Sequence, residues 1–307
     1  FAKLVNAMPV DALQMMRKTV VDGSNTSGFQ RTGIVAFGGK VSGVRIATIA
    51  VEEEACRIIF SGQEAITYRL DRLGIPLIEI ATEPDITTAE QCAEVAEEIG
   101  LLLRSTGKAK RGLGTIRQDV NVSIEGGTRV EIKGAQDLKM LPTLVKIEAE
   151  RQRKLLHIKE ELGIRKAGVD STVEMTAHFS DSKSTVISKA FKSGGNVFGL
   201  KLRCFAGIIG HELQPNKRFG TELSERAKAY AGVGGLFHSD ELPNYGITAE
   251  EVESIRKHLN CAKEDAFVIV ADERGKCIRA MDAIAERAVE ALEGVPKEVR
   301  KANDDGT

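Results

Sequence analysis

Acids at two places in the chain invite a cation. Glu52-Glu53-Glu54 closes an apolar stretch running from Val44 to Val51, and Glu79 interrupts another, Pro76-Leu77-Ile78-Glu79-Ile80. A carboxylate among apolar neighbours is costly unless it is paired or bound to a cation. Hard divalent ions such as Mg²⁺ accept a few carboxylates together with waters and substrate phosphates. One reading is therefore a Mg²⁺–nucleotide site. The plainer alternative is a solvated strand end and a half-exposed strand.

Two further stretches carry polar chemistry. Residues 107–116 read GKAKRGLGTI, with Arg104 before and Arg117 after. Glycines let backbone amides approach a phosphate, while Lys108 and Arg117 supply charge. The spacing is not that of a Walker A loop, and a flexible surface loop is the competing reading. The segments Arg117–Ile124 and Thr128–Lys133 alternate polar with apolar and flank Glu125-Gly126-Gly127. This predicts a hairpin. A three-residue loop pairs Val122 with Val130 and Val120 with Ile132, whereas a two-residue loop would set apolar against polar residues. The other face then carries Asp119 opposite Lys133, Asn121 opposite Glu131, and Ser123 opposite Arg129. Such a mixture suits a phosphorylated ligand, though an ordinary solvent-facing sheet has the same alternation.

Other chemistries find little support. The histidines lack ligand spacing with one another or with the cysteines, and no GxSxG or HExxH occurs. His157 sits beside an apolar helical stripe and reads as structural. The five cysteines are scattered without CxxC spacing, which points to a reducing compartment, small apolar roles and no disulfide framework.

These residues need elements to place them. Val44–Val51 reads as a strand and Leu77–Ile80 as a short buried one. Ser24-Asn25-Thr26-Ser27-Gly28 is a polar loop. Thr87 with Glu90 forms a capping-box pattern for a helix with Cys92, Ala96, Ile99 and Leu103 on its apolar face and Gly107 as its stop. A longer helix is predicted over 142–162, carrying Leu144, Ile147, Leu155, Ile158 and Leu162. Residues 170–184 are polar and weakly patterned, a candidate boundary. Beyond them, strands at 196–202 and 266–271 and helices at 222–230, 249–259 and 277–292 make a compact α+β module. Thr248 and Glu251 supply a second capping box.

The bulk numbers agree with a globular chain. Its 307 residues suffice for one large domain or two ordinary ones, and 42% are hydrophobic and 28% charged. The net charge of −1 provides no general polyanion-binding field, so any nucleic-acid contact must come from local basic patches. No apolar run approaches the length of a membrane span, and no signal peptide is visible. The chain begins at Phe1 and stops at Asp304-Asp305-Gly306-Thr307, which reads as a piece of a longer protein.

PLIEIATEPDITTAE, RQDVNVSI and GTRVEIKGAQ, in that order, resemble the B/E subunits of tRNA-dependent amidotransferases. The match extends through MRKTVVDGSNTSGFQRT at 16–32 and EAERQRKLL at 148–156. Residues from about 185 to 295, with FAGIIGHE and GVGGLFHSDELPNYGIT, are similar to an insert shared by the E-type branch and bacterial-type aspartyl-tRNA synthetases. The resemblance implies an α+β fold: a mixed or antiparallel sheet forming a catalytic cradle with flanking helices over 1–184, a smaller GAD-type α+β insert over 185–297, and a return towards the cradle over 298–307. It implies ATP- and Mg²⁺-dependent phosphorylation of the glutamyl γ-carboxylate on tRNA(Gln), then displacement of phosphate by ammonia from an asparaginase-like amidase partner of the GatD type. The setting would be a cytoplasmic hetero-oligomer. By the same resemblance, Glu79 and one acid of Glu52–Glu54, taken as Glu53, would hold Mg²⁺. Glu79, Asp119 and Glu131 would be catalytic; Lys108, Arg117, Asn121, Ser123 and Lys133 would contact the cofactor. Ser24, Asn25 and Gln30 would approach the tRNA acceptor end. The family's GLExH-type opening strand and its C-terminal tRNA-holding region have no counterpart here, so this chain alone is expected to be inactive. A non-catalytic tRNA-binding or assembly module and an aspartyl-tRNA synthetase fragment are the alternatives.

Overall fold

The long alternating stretch after residue 28 builds the first sheet. In the computed structural model, which describes all residues except 22, 63, 64, 113 and 304, the strands Phe29–Phe37 and Val44–Glu53 pair antiparallel. Met8–Pro9 and Met16–Thr19 pair with the first of these, Lys40–Val41 and Pro76–Thr82 with the second. Val5, Ala36, Val41, Ile46 and Ile49 form the core beneath them, and Ile99 and Leu102 of the helix Ala89–Ser105 pack on it. That helix is capped one residue later than the sequence pattern suggested. Thr88 Oγ1 accepts from the Gln91 amide, and the Gln91 side chain takes the Thr87 amide, so Thr88 and Gln91 do the work expected of Thr87 and Glu90. These elements belong to one compact unit, Phe1–Gln118 with Gln136–Thr143.

The second unit comprises Asp119–Ala135 and Leu144–Thr307. Its hairpin has the expected register: Val130 opposite Val122, Glu131 opposite Asn121, Ile132 opposite Val120. Gly126, at φ +75, supplies the left-handed residue of the three-residue loop. Val122, Val130 and Ile132 are buried, as that register requires. The sequence did not reveal a third strand, Val299–Lys301, which runs parallel to Val130–Lys133.

The expected helix at 142–162 spans Leu141–Ile164 and buries Leu144, Leu155, Ile158 and Leu162. His157 is exposed and does not join that stripe. Residues 170–184 are more regular than their weak pattern suggested. Gly168–Glu174 is a strand antiparallel to Asn196–Arg203, followed by a 3-10 turn, Thr176–Phe179. Its polarity has a cause: Asp170 faces Lys201 and Arg203 at 3.4 and 2.8 Å. Asn196–Arg203 pairs in turn with Ala266–Asp272, and Phe237–His238 completes this sheet among the described residues. Along Ala266–Asp272, alternate residues enter two cores. Ala266, Val268 and Val270 join one; Phe267 and Ile269 join the other. Burial on both faces explains the uninterrupted apolar run. The helices Phe219–Ala231, Ala249–His258 and Arg274–Glu293 lie close to their expected spans, and Thr185–Lys192 is an additional one. The α+β class holds throughout.

Candidate active site

Sheet register decides which acids meet. Across the Val44–Glu53 and Pro76–Thr82 pair, Ala50 lies opposite Glu79 and Glu52 opposite Leu77. Residues two apart on a strand share a face, so Glu52 and Glu79 lie diagonally on one face and Glu53 points to the other. The side chains follow that geometry. Lys18 Nζ stands 2.6 Å from Glu52 Oε1 and 4.0 Å from Glu79 Oε1. Glu53 is taken on the opposite face by Arg31, whose Nη1 is 3.1 Å from both carboxylate oxygens. Of the two acids, Glu52 rather than Glu53 thus shares a face with Glu79. Nor is Glu79 buried: its side chain is 54% exposed, because Pro76–Thr82 has only one strand partner among the described residues.

Two carboxylates therefore share the Lys18 ammonium. Burial alone would lower the Lys18 pKa, but its hydrogen bond to Glu52 and the charge of Glu79 outweigh that and raise it. Close by along the chain lies a second set of ion pairs. Glu54, buried, accepts Arg72 Nη2 at 2.9 Å and Arg117 Nη2 at 3.1 Å, so one carboxylate serves two guanidiniums. Glu52 with Glu79 on Lys18, and Arg72 with Arg117 on Glu54, thus gather at one strand end. The first fits a divalent cation, the second a phosphate oxygen.

The loop expected near an acceptor end is held to the same strand end. Gln30 Nε2 donates to the Glu53 carbonyl at 2.9 Å. Asn25 is buried and accepts Ser27 Oγ at 3.1 Å. The Ser24 carbonyl accepts Cys56 Sγ at 3.6 Å, and Tyr68 Oη donates to the Gly23 carbonyl. Asp22, within the 16–32 segment, lies outside the described residues. So does Leu113 of the glycine-rich loop, where Lys108 is exposed and its amide caps onto Thr106 Oγ1.

The hairpin residues belong to the second unit. Asn121, Ser123 and Lys133 are exposed and Glu131 is half-buried, on the face opposite Val122, Val130 and Ile132. Asp119 lies just outside the strand. The strand begins at Val120, and Asp119 Oδ1 accepts the Gly134 amide at 3.0 Å, closing the end of the hairpin.

Several functional candidates escaped the sequence reading. Lys18 lies in an exposed strand with no pattern of its own. Arg72 sits in a turn. Asp85 chelates Arg45 through Nε at 2.8 Å and Nη2 at 2.6 Å and accepts its amide, which anchors the exit from the Glu79 strand. Those hydrogen bonds from Arg45 hold the Asp85 carboxyl at about 2. The Pro84-Asp85 pair after Glu83 was a usable signal for that anchor. All five cysteines are free, and burial pushes the Cys261 and Cys277 thiols up to about 11. Among the described residues, no three His, Cys, Asp or Glu side chains already converge on a common point, and no helix is long and apolar enough to cross a membrane.

Residues 1–196 match the GatB/GatE catalytic domain model, and residues 187–281 match the GAD domain model. The chain belongs to the GatB/GatE family. Curated relatives agree. The E subunit of glutamyl-tRNA(Gln) amidotransferase from Sulfurisphaera tokodaii is 53% identical over 308 residues, 97% of this chain and 49% of the relative. The corresponding E subunits of Sulfolobus acidocaldarius and Pyrococcus abyssi are 52% and 53% identical over 97% and 99% of this chain, again across 49% of their own lengths. The chain thus spans about half the length of the curated relatives it matches. The strand end with Glu52–Glu54, the Glu79 strand and the polar hairpin all lie within the matched catalytic domain. This sets aside an aspartyl-tRNA synthetase fragment, since the module shared with those enzymes is here joined to a GatB/GatE domain.

Proposed function

We propose that this chain is the catalytic-domain part of a glutamyl-tRNA(Gln) amidotransferase. The glutamyl γ-carboxylate attached to tRNA(Gln) attacks the γ-phosphorus of ATP, and ADP leaves. Ammonia then attacks the resulting acyl phosphate, and inorganic phosphate leaves with the formation of Gln-tRNA(Gln). The ammonia comes from an amidase partner of the asparaginase-like, GatD type, so the working enzyme is a hetero-oligomer in the cytoplasm.

The observation that carries this reading is the gathering of carboxylates and cations at one strand end. Glu52 and Glu79 share the Lys18 ammonium, while Glu54 is shared by Arg72 and Arg117. Phosphoryl transfer asks for positioning and charge neutralisation rather than a covalent nucleophile. When bound, Mg²⁺ would be held by Glu79 and Glu52 and would neutralise charge on the phosphates. Lys18, which donates to Glu52, would supply positive charge beside them. Arg72 and Arg117, with Lys108 from the glycine-rich loop, bind phosphate oxygens. On the hairpin, Glu131 and Asp119 act at the reacting end of the aminoacyl group, and Asn121, Ser123 and Lys133 bind the nucleotide. Ser24, Asn25 and Gln30 position the acceptor end through a loop fastened to the Glu53 carbonyl.

The test uses the whole amidotransferase that contains this chain, with ATP, Mg²⁺ and Glu-tRNA(Gln). Glu79→Gln is expected to abolish conversion to Gln-tRNA(Gln) while leaving tRNA binding intact. Conversion at the wild-type rate with ordinary Mg²⁺ would remove Glu79 from the site.

A further inference from the structure

The second unit buries a set of charges that the reaction does not use. Arg151, on the Leu141–Ile164 helix, is fully buried. It donates through Nε to Glu222 at 2.6 Å, through Nη1 to Glu148 at 3.0 Å and through Nη2 to Glu298 at 2.5 Å. Glu222 lies on Phe219–Ala231 and also accepts from Arg287 of Arg274–Glu293. Arg300 donates to Glu298 at 3.1 Å and to Gln214 at 2.8 Å. Three arginines thus meet three glutamates. Apolar side chains of similar volume could fill the same space at equal or lower free energy, so stability alone does not account for the set. A network of directed bonds fixes one arrangement of the elements that carry it.

What it fixes is the hairpin. The carbonyl of Glu298 accepts the Glu131 amide at 3.2 Å, and the Ala302 amide donates to the Lys133 carbonyl at 3.1 Å. Between these bonds, Val299–Lys301 runs beside Glu131–Lys133. Gln152, the next residue of the helix, donates to the Val122 carbonyl at 3.2 Å and to Glu148 at 3.0 Å. Its Oε1 lies so near Gly127 that a Cβ there would meet it at 2.4 Å. In the three-stranded sheet, Val130–Lys133 is the central strand. Arg151 therefore grips one outer strand through Glu298, and Gln152 grips the other.

We infer that Arg151 is a positioning residue for Glu131 and Lys133, and that the insert's helices, through Glu222 and Arg287, set its place. The insert is thereby a brace for the polar hairpin face. The functional half of this inference rests on the role given to that face above.

The test is made in the whole amidotransferase. Arg151→Met/Glu298→Gln cuts the grip on the outer strand and leaves Glu148 and Glu222 matched by Arg287 and Arg300. The expected result is hydrogen exchange at the Glu131 and Ala302 amides faster on the order of tenfold, with kcat for conversion lower by a similar factor or more and KM for Glu-tRNA(Gln) unchanged. Glu222→Leu/Arg287→Met cuts the link to the insert instead and decides the question should the first variant not fold. Unchanged exchange and unchanged kcat in a folded variant would overturn the inference. Glu131→Gln is the control. If it leaves conversion intact, the assignment of the hairpin face fails, while the exchange result still decides whether the brace exists.

Discussion

The two charge clusters of this molecule use the same side chains to opposite ends. In the first unit Lys18 is 44% exposed and Glu79 is 54% exposed. Two carboxylates meet at the Lys18 ammonium, and one carboxylate faces two guanidiniums. In the second unit Arg151 and Glu222 are buried, and three arginines answer three glutamates. A cluster half in solvent is open to a ligand. A dry one holds elements in place. The presence of ion pairs distinguishes neither; their exposure does.

The comparison can be broken most forcibly at Arg151. Arg151→Met takes a partner from two buried carboxylates, Glu148 and Glu222, and from the half-buried Glu298, and unfolding of the chain by denaturant should show a loss of about 3–5 kcal/mol. A loss below about 1 kcal/mol would mean that the network is not truly buried.

Acid probes the same cluster without mutation. Burial alone would raise the Glu222 pKa, but Arg151 and Arg287 pull it down from 4.5 to about 2. A depressed carboxylate stabilises the fold above its unfolded pKa. That contribution, on the order of 3 kcal/mol, is lost as pH falls from about 4.5 towards 2. Unfolding measured across this range should lose its acid limb in Glu222→Leu/Arg287→Met. At an ordinary helix end the expected effect is smaller. Thr248 and Glu251 form a reciprocal capping box at 3.2 and 2.7 Å, so Thr248→Ala should cost about 1 kcal/mol in the same assay. Lys18→Met should cost no more, about 1 kcal/mol, because Lys18 and Glu79 stand half in solvent and of the two carboxylates only Glu52 is buried. Its effect belongs to turnover, and a large stability loss there would dissolve the contrast between the clusters.

What the sequence showed depended on range. The hairpin register was legible because Val120, Val122, Val130 and Ile132 alternate over a few residues around Gly126. Thr248 with Glu251 was legible for the same reason. The Arg151 network was not: Glu222 is 71 residues away and Glu298 is 147, and its members look like surface residues of separate elements. The Gly168–Glu174 strand was hidden by polar residues whose partners, Lys201 and Arg203, lie on the neighbouring strand. Glu79 could be singled out from its apolar neighbours, but its exposure and its choice of Glu52 over Glu53 depend on pairing with Val44–Glu53, where the ladder shifts between Ile46 and Thr48. A shift of one residue exchanges the faces of a strand, and local patterning does not carry that information.

The most direct test of the account sets Glu52→Gln beside Glu53→Gln in the whole amidotransferase, scored by ATP-dependent conversion of Glu-tRNA(Gln) at several Mg²⁺ concentrations. The register predicts that Glu52→Gln lowers conversion on the order of a hundredfold, with partial recovery at high Mg²⁺, while Glu53→Gln, which loses only a pair with Arg31, stays within a few-fold of wild type. The reverse order would place the metal-facing acid on the opposite side of the strand and contradict the site described here.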